Sequence, residues 1–474
     1  MTEVAYEMVV GLEVHCELLT ETKLFCSCAN HFGSEPNTNI CPVCLGLPGS
    51  LPVLNRRAVE LAIRVGEALS CTVERSIFHR KNYFYPDMPK DYQISQYDFP
   101  INVDGALELP DGSRVGIVRA HIEEDTGKTT HMGGGGGRIH GASYSLVDYN
   151  RAGVPLVEIV SAPDIHSAAQ ARAYVAELRA IVVAAGASDG RMEEGSLRVD
   201  ANVSVRPRGT EELGTRCEVK NLNSLRSLVR AIEHESTRQI ALVSSGGAVT
   251  QETRHFDEST GLTHSLRSKE EAYDYRYFPE PDLVPVVPDA ALLRAARTGI
   301  GPMPHERRRR IAELVGVDGT AEQIQTVIEL DLDALVVAAV AAGADARLTL
   351  ARAANEAAAK AEGARSLDPL AFSALVGMEV AGRLSATQAK SVLAELIDSG
   401  GDPAEIASRL GFEAMASSEV DSLVEELIAA HPEEWERYRA GDAKVASFLM
   451  GQVMRATKGR ANGRLVTEAL EARR

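Results

Sequence analysis

The chain alternates apolar and ionisable positions in several separate stretches. From Glu7 to Leu18, the residues Met8, Val10, Leu12, Val14, Cys16 and Leu18 occupy one set of alternate positions. Glu7, Glu13, His15 and Glu17 fall in the other set, with Val9 and Gly11 between them. Two residues is the side-chain period of a strand, so this pattern predicts a strand with one face for a core. Its other face offers carboxylates and an imidazole to solvent or to a cation. Arg114 to Asp125 repeats the device, with Ile117, Arg119, His121, Glu123 and Asp125 opposite Val118, Ala120, Ile122 and Glu124. The strand end leaves open whether Glu123 or Glu124 faces a site. Arg198, Asp200 and Asn202 alternate with Leu197, Val199, Ala201 and Val203, just after Glu193 and Glu194. Arg216, Glu218 and Lys220 stand opposite Cys217 and Val219. Glu158 lies inside the apolar run VPLVEIV, where a carboxylate is costly unless it is paired or bound to metal.

Helical periodicity appears at Arg56 to Leu69, His166 to Ala185 and Leu222 to Val243, and dominates the Ala-, Leu- and Glu-rich chain from Ala290 onward. Ser385 with Gln388 forms the signature of a capping box for a helix from Ala386 to Leu396. Strands with one apolar and one charged face, together with these helices, predict an α+β fold. The expected core is an antiparallel sheet carrying helices on its apolar side and a charged concavity on the other. The proline-rich YDYRYFPEPDLVPVVP ends this part. Three domains are therefore expected, at 1–290, 291–401 and 402–474. Phe78 to Tyr97 is dense in aromatics, and its Pro86 and Pro89 predict a loop rather than a helix or central strand. Its Lys81 and Lys90 suit it to holding phosphate. The glycines from Gly133 to Gly137 lack a following Gly-Lys-Ser/Thr and read as a surface loop.

Composition narrows the class. The chain of 474 residues is 45% hydrophobic and 25% charged, which is normal for a globular protein. A formal net charge of −17 argues against charge-driven nucleic-acid binding over the whole surface. A local basic segment nevertheless lies near the C-terminus, where Arg455, Lys458, Arg460 and Arg464 are candidates for contact with a nucleic-acid backbone. The polar start and the lack of a long apolar run predict a cytoplasmic location. Of 7 cysteines, Cys26, Cys28, Cys41 and Cys44 form C-x-C and C-x-x-C pairs around a polar loop. That spacing predicts a closed, structural Zn²⁺ site. Cys16, Cys71 and Cys217 lie in or beside apolar runs and are expected in the core.

Glu13, His15, Glu124, Glu158, Glu194 and Asp200 come from separate elements, so only the fold can bring them together. Hard oxygen ligands with one imidazole would suit Mg²⁺ or Mn²⁺. Lys81, Lys90, Arg198 and Lys220 would supply the positive charge that transfer of the ATP γ-phosphoryl requires. The bland alternative is a set of surface ion pairs.

The stretches VVGLEVHCEL, RKNYFYPDMPKDYQISQYD, HIEEDTGKTTH, YSLVDYNRAGVPLVEIVSAPDI, RMEEGSLRVDANVSVRP, EVKNLNSLRSL and FLMGQVMRATKGRAN closely resemble the B-subunit family of the tRNA-dependent Asp/Glu amidotransferases. The resemblance covers essentially the whole chain. It implies a glutamine-synthetase-like cradle domain for kinase and transamidation chemistry, then a helical domain and a small helical tail that touches tRNA. It also implies a heterotrimer with an amidase A subunit, which releases ammonia from glutamine, and a small C subunit. The implied reaction phosphorylates the side-chain carboxylate of misacylated Glu-tRNA(Gln) or Asp-tRNA(Asn) with ATP, and ammonia then displaces the phosphate. On this resemblance Glu13, His15, Glu124 and Glu158 look like Mg²⁺ ligands, and Lys81 looks like a polar gate for ammonia. The roles of Lys90, Glu194, Arg198, Asp200 and Lys220 in holding nucleotide rest on the polar-face argument. A non-enzymatic tRNA-binding scaffold subunit is the alternative from a different class.

Overall fold

β1 (Tyr6–Glu17) forms where the first alternation predicts it, with Val10, Leu12, Val14 and Cys16 fully buried. The computed structural model describes residues 5–133, 141–268, 275–412, 417–440, 442–457, 461 and 463–474. The chain forms two compact units, Met1–Pro304 and His305–Arg474. In the first unit, β1 is followed by α1 (Arg56–Ala68), β2 (Thr72–Val73), β3 (Ile77–Asn82), β4 (Tyr92–Phe99), β5 (Asn102–Glu108) and β6 (Arg114–Glu124). Next come a hairpin of β7 (Lys128–Met132) and β8 (Tyr144–Asp148), β9 (Pro155–Ser161), α2 (Ala168–Ala184), β10 (Leu197–Pro207), β11 (Cys217–Leu222) and α3 (Leu225–Ser244). β12 (Glu252–Asp257), β13 (Leu262–Ser268), β14 (Phe278–Pro279) and α4 (Ala290–Thr298) complete it.

Twelve of these strands form one sheet in the order β13-β12-β11-β10-β1-β9-β6-β4-β3-β14, with β5 on β6 and β2 on β5. β1 is central, antiparallel to β10 on one side and to β9 on the other. Among the described residues, every strand pairing in the sheet is antiparallel except β11 with β12. The fold is thus α+β, with a mixed rather than purely antiparallel sheet. Asn55, Ser167 and Ser224 cap the starts of α1, α2 and α3 by accepting hydrogen bonds from first-turn amides. Apolar residues of these helices share one buried core with the apolar face of the sheet, leaving the opposite face free for ionisable side chains.

One expectation changes at this level, and one strand pair is added. Phe78 to Tyr97 contains the paired strands β3 and β4, and the prolines occupy the turn between them. Proline excludes ladder pairing only at its own position, so it set the turn without suppressing its flanks. The β12–β13 pair went unforeseen. The run Gly134 to Gly137 lies outside the described residues.

The second unit is helical and contains two apolar cores. One gathers residues from Ile311 to Ala407, and the other gathers residues from Val420 to Leu470 around Trp435 and Tyr438. The Ser385/Gln388 capping box forms in full at the start of helix Ala386–Ser399. No helix among the described residues is long and apolar enough to cross a membrane.

Candidate active site and four-cysteine centre

Register across the central strands assembles the site. Residues directly opposite one another on adjacent strands hold their Cβ atoms about 5 Å apart, so a polar residue in each strand makes a continuous row. His121 of β6 pairs with Glu158 of β9, Glu158 with His15 of β1, and His15 with Arg198 of β10. Two residues along, Arg119, Val160, Glu13 and Asp200 form the next row on the same face. A bulge after Val199 brings Glu218 of β11 opposite Asn202.

These rows line a cleft of about 740 Å³, with Lys81, Tyr97, Glu123, Asp125, Lys220 and Tyr277 around them. A volume in this range suits a small-molecule substrate site. His15 Nε2 lies 3.4 Å from Glu123 Oε1 and 4.0 Å from Glu158 Oε2, and His121 Nε2 lies 3.2 Å from Glu158 Oε2. Burial, and next the charge of Glu158, push the Glu123 carboxyl above its ordinary pKa. Burial alone would raise Glu158 as well, but the charge and hydrogen bond of His121, with His15, outweigh it and hold that carboxyl below its usual range. The pair therefore shares its last proton unequally, and Glu123 keeps it longer. His15, Glu123 and Glu158 offer ligand atoms within 4.8 Å of one another, as do Glu13, Asp200 and Glu218. Two carboxylates with one imidazole in the first set, and three carboxylates in the second, fit a hard divalent cation.

Cations face these acids. Arg198 binds Asp125 through both terminal nitrogens, at 2.7 and 3.3 Å. Lys220 bridges Asp200 and Glu218, and these carboxylates hold its ammonium above the ordinary lysine value against the opposing effect of burial. Lys81 Nζ lies 4.6 Å from the centre of the Tyr275 ring. Tyr97 and Tyr277 stack with centroids 4.3 Å apart at the same cleft.

The structure brings together Glu13, His15, Lys81, Glu158, Arg198, Asp200 and Lys220 of the residues singled out in the sequence. It separates three others. Glu124 points to the opposite face of β6, where its carboxylate pairs with Lys90 and accepts the Ile94 N–H at 2.9 Å. Strand parity decides this, since His121, Glu123 and Asp125 share the cleft side and Glu124 cannot. Lys90 is consumed in that pair and packs near Phe25 and Tyr92 rather than in the cleft. Glu194 pairs with Arg191 in a turn away from the cleft lining. Of the two acids left open at the end of β6, Glu123 is the one in the cleft lining, and His121, Asp125 and Glu218 join it without having been put forward as site residues. The alternation that placed them on polar faces was the signal. On β1, burial and then the Asp125 charge raise the Glu17 carboxyl to about 7. Glu7, by contrast, pairs with Arg206.

The four cysteines converge. Cys44 Sγ lies 3.6 Å from Cys26 Sγ, 3.7 Å from Cys41 Sγ and 3.8 Å from Cys28 Sγ. A metal bound tetrahedrally by thiolates at about 2.3 Å requires sulfur separations of about 3.8 Å. The cluster is therefore already spaced to hold a metal ion such as zinc. Cys16 and Cys217 are buried, as expected, whereas Cys71 is partly exposed.

In the C-terminal basic segment, Arg455 is exposed near the end of helix Ala443–Ala456. Lys458 and Arg460 lie outside the described residues, and Arg464 falls in helix Gly463–Glu471 with its side chain outside them too.

The model of the GatB/GatE catalytic domain matches residues 8–294, and that of the GatB domain matches residues 335–473. The chain is 49% identical over 476 residues to the B-subunit of the aspartyl/glutamyl-tRNA(Asn/Gln) amidotransferase of Thermobifida fusca, covering 96% of this chain and 92% of that protein. The B-subunit of the same name from Streptomyces avermitilis is 48% identical over 484 residues, covering 98% and 95%. With both units matched and about half the residues shared along nearly the full length, the chain belongs to the B-subunit family of the aspartyl/glutamyl-tRNA(Asn/Gln) amidotransferases.

Proposed function

We propose that the cleft phosphorylates the side-chain carboxylate of Glu-tRNA(Gln), Asp-tRNA(Asn) or both with ATP, and then amidates it. The observation that carries this reading is the pair of cross-strand rows, which set imidazole and carboxylate donors beside Arg198, Lys220 and Lys81 in one cleft. Transfer of a phosphoryl group depends chiefly on positioning and on neutralising oxygen charge. In the first step a substrate carboxylate oxygen attacks the γ-phosphorus and ADP leaves. Ammonia nitrogen then attacks the acyl carbon, the C–O bond to phosphate breaks, and a proton leaves nitrogen to give the amide.

Mg²⁺ at these donors would screen the phosphate oxygens as charge builds on them. His15, Glu123 and Glu158 form one set of ligands for it, with Glu13, Asp200 and Glu218 as the second. On the same reading Lys81, which lines the cleft, acts as a polar gate for incoming ammonia. The wider reading is a cytoplasmic heterotrimer in which an amidase A subunit supplies ammonia and a small C subunit joins the two. In it, residues 1–290 form the glutamine-synthetase-like cradle, 291–401 the helical domain and 402–474 the tail that meets tRNA through Arg455, Lys458, Arg460 and Arg464. Structural Zn²⁺ occupies the four-cysteine centre, whose sulfur spacing supports it.

The test supplies the assembled complex with ATP, ammonia and Glu-tRNA(Gln) and compares wild type with Glu158→Gln. The variant is expected to lose both ADP release and Gln-tRNA formation while still binding tRNA. Wild-type product formation would remove the cleft from the chemistry and leave the scaffold reading.

A further inference from the structure

Lys23 has no accessible surface, yet among the described residues no carboxylate lies within ion-pair distance of its ammonium. Its polar contacts are the Cys44 sulfur at 3.6 Å and the Tyr149 carbonyl at 3.2 Å. A buried ammonium is costly without an anion beside it. Cys44 lies 3.6–3.8 Å from each of its three fellows, and it is only 7% exposed. Four thiolates around one Zn²⁺ carry a net charge of −2, so the centre needs a counter-charge as much as Lys23 needs an anion.

We infer that Lys23 is the counter-ion and positioning residue of the four-cysteine metal centre, holding the Cys44 thiolate in place and tying the centre to the turn at Tyr149. The inference rests on the zinc reading above. The turn has a second attachment. Arg151, two residues on, donates to the Thr126 and Gly127 carbonyls and lies 3.5 Å from Asp125, the partner of Arg198 in the cleft. The backbone is also fixed here, because the Lys23 N–H donates to the Cys28 carbonyl and the Leu24 N–H to the Gly153 carbonyl. Lys23 therefore lies between the metal loop and the strand end that carries part of the cleft. Outer contacts of metal ligands typically change metal affinity by about 10- to 100-fold when removed.

The experiment measures zinc content of the purified complex, then the rate of zinc release to a chromogenic chelator for wild type, Lys23→Met and Lys23→Gln. Lys23→Met fills the same space without charge, and release should quicken by about tenfold or more. Lys23→Gln retains a donor for the Tyr149 carbonyl and should fall between the two. The gap between the melting temperatures of zinc-loaded and chelator-stripped protein should shrink in both, a change that loss of packing alone would not produce. A wild-type complex without zinc sinks the zinc reading itself. A zinc-loaded wild type with equal release from either folded variant overturns only the role of Lys23.

Discussion

Neighbouring acids on β6 should respond to the same substitution in opposite ways. Glu124 and Lys90 form a buried pair, with side chains 4% and 8% exposed. In Glu124→Gln the new amide oxygen can still accept the Ile94 N–H, but the Lys90 ammonium is left buried without its carboxylate. Breaking such a pair from one side costs about 3–5 kcal/mol. The unit that contains it spans Met1–Pro304. At about 2 cal/mol/K of unfolding entropy per residue, that cost lowers its melting temperature by roughly 5–8 °C. Glu123→Gln removes a charge instead of stranding one. The folded-state pKa of Glu123 is raised, so its ionised form weakens the fold as pH climbs through that value. The glutamine variant should melt with wild type in acid and no lower than wild type at neutral pH. It should lose Mg²⁺-dependent ADP formation in the assembled complex, since Glu123 and not Glu124 faces His15. Thermal denaturation at two pH values, beside a Mg²⁺ titration of ADP formation, reads both halves. If Glu124→Gln melts with wild type, or Glu123→Gln turns over with unchanged Mg²⁺ dependence, the division of β6 into a structural and a chemical face is wrong.

Glu17→Gln gives a second pH test. Its carboxyl rises to about 7 in the fold, so stability is lost as pH climbs from the ordinary carboxylate value through 7. The glutamine variant should match wild type near pH 4 and exceed it by about 3 kcal/mol at pH 8, read by denaturant unfolding. Equal curves at both pH values would refute that cause. Gly66→Ala should destabilise by about 1–3 kcal/mol, because a Cβ there would lie 2.0 Å from Asn102 Oδ1. Asn102 cannot readily yield, since its side-chain amide already donates to the Ala62 and Ala120 carbonyls. An unchanged unfolding midpoint would show that this junction can relax.

Much of the cleft was legible as alternation. Glu13, His15, Arg198 and Asp200 sit on polar faces that period-two reading assigns without coordinates. The same reading put His121 and Glu123 on one face and Glu124 on the other, so the parity of β6 was visible while its orientation was not. A strand's own pattern does not say which face meets the chemistry once both faces of its last residues are acidic. Lys90 shows the related limit. A lysine in a proline-rich turn looks available to phosphate until the fold closes Phe25, Tyr92 and Glu124 around it.

The sequence by itself determined the two-faced strands, the Ser385/Gln388 capping box, the α+β class and the close spacing of the cysteine pairs, because each depends on residues close along the chain. Only the tertiary structure decided the register that sets His121, Glu158, His15 and Arg198 in one row. These four come from strands far apart along the chain, and a shift of one residue in any strand would turn its members to the core. The burial of Lys23 against Cys44 belongs to the same class. A lysine's surroundings depend on what the rest of the chain packs over it, and nothing in its neighbours along the sequence records that.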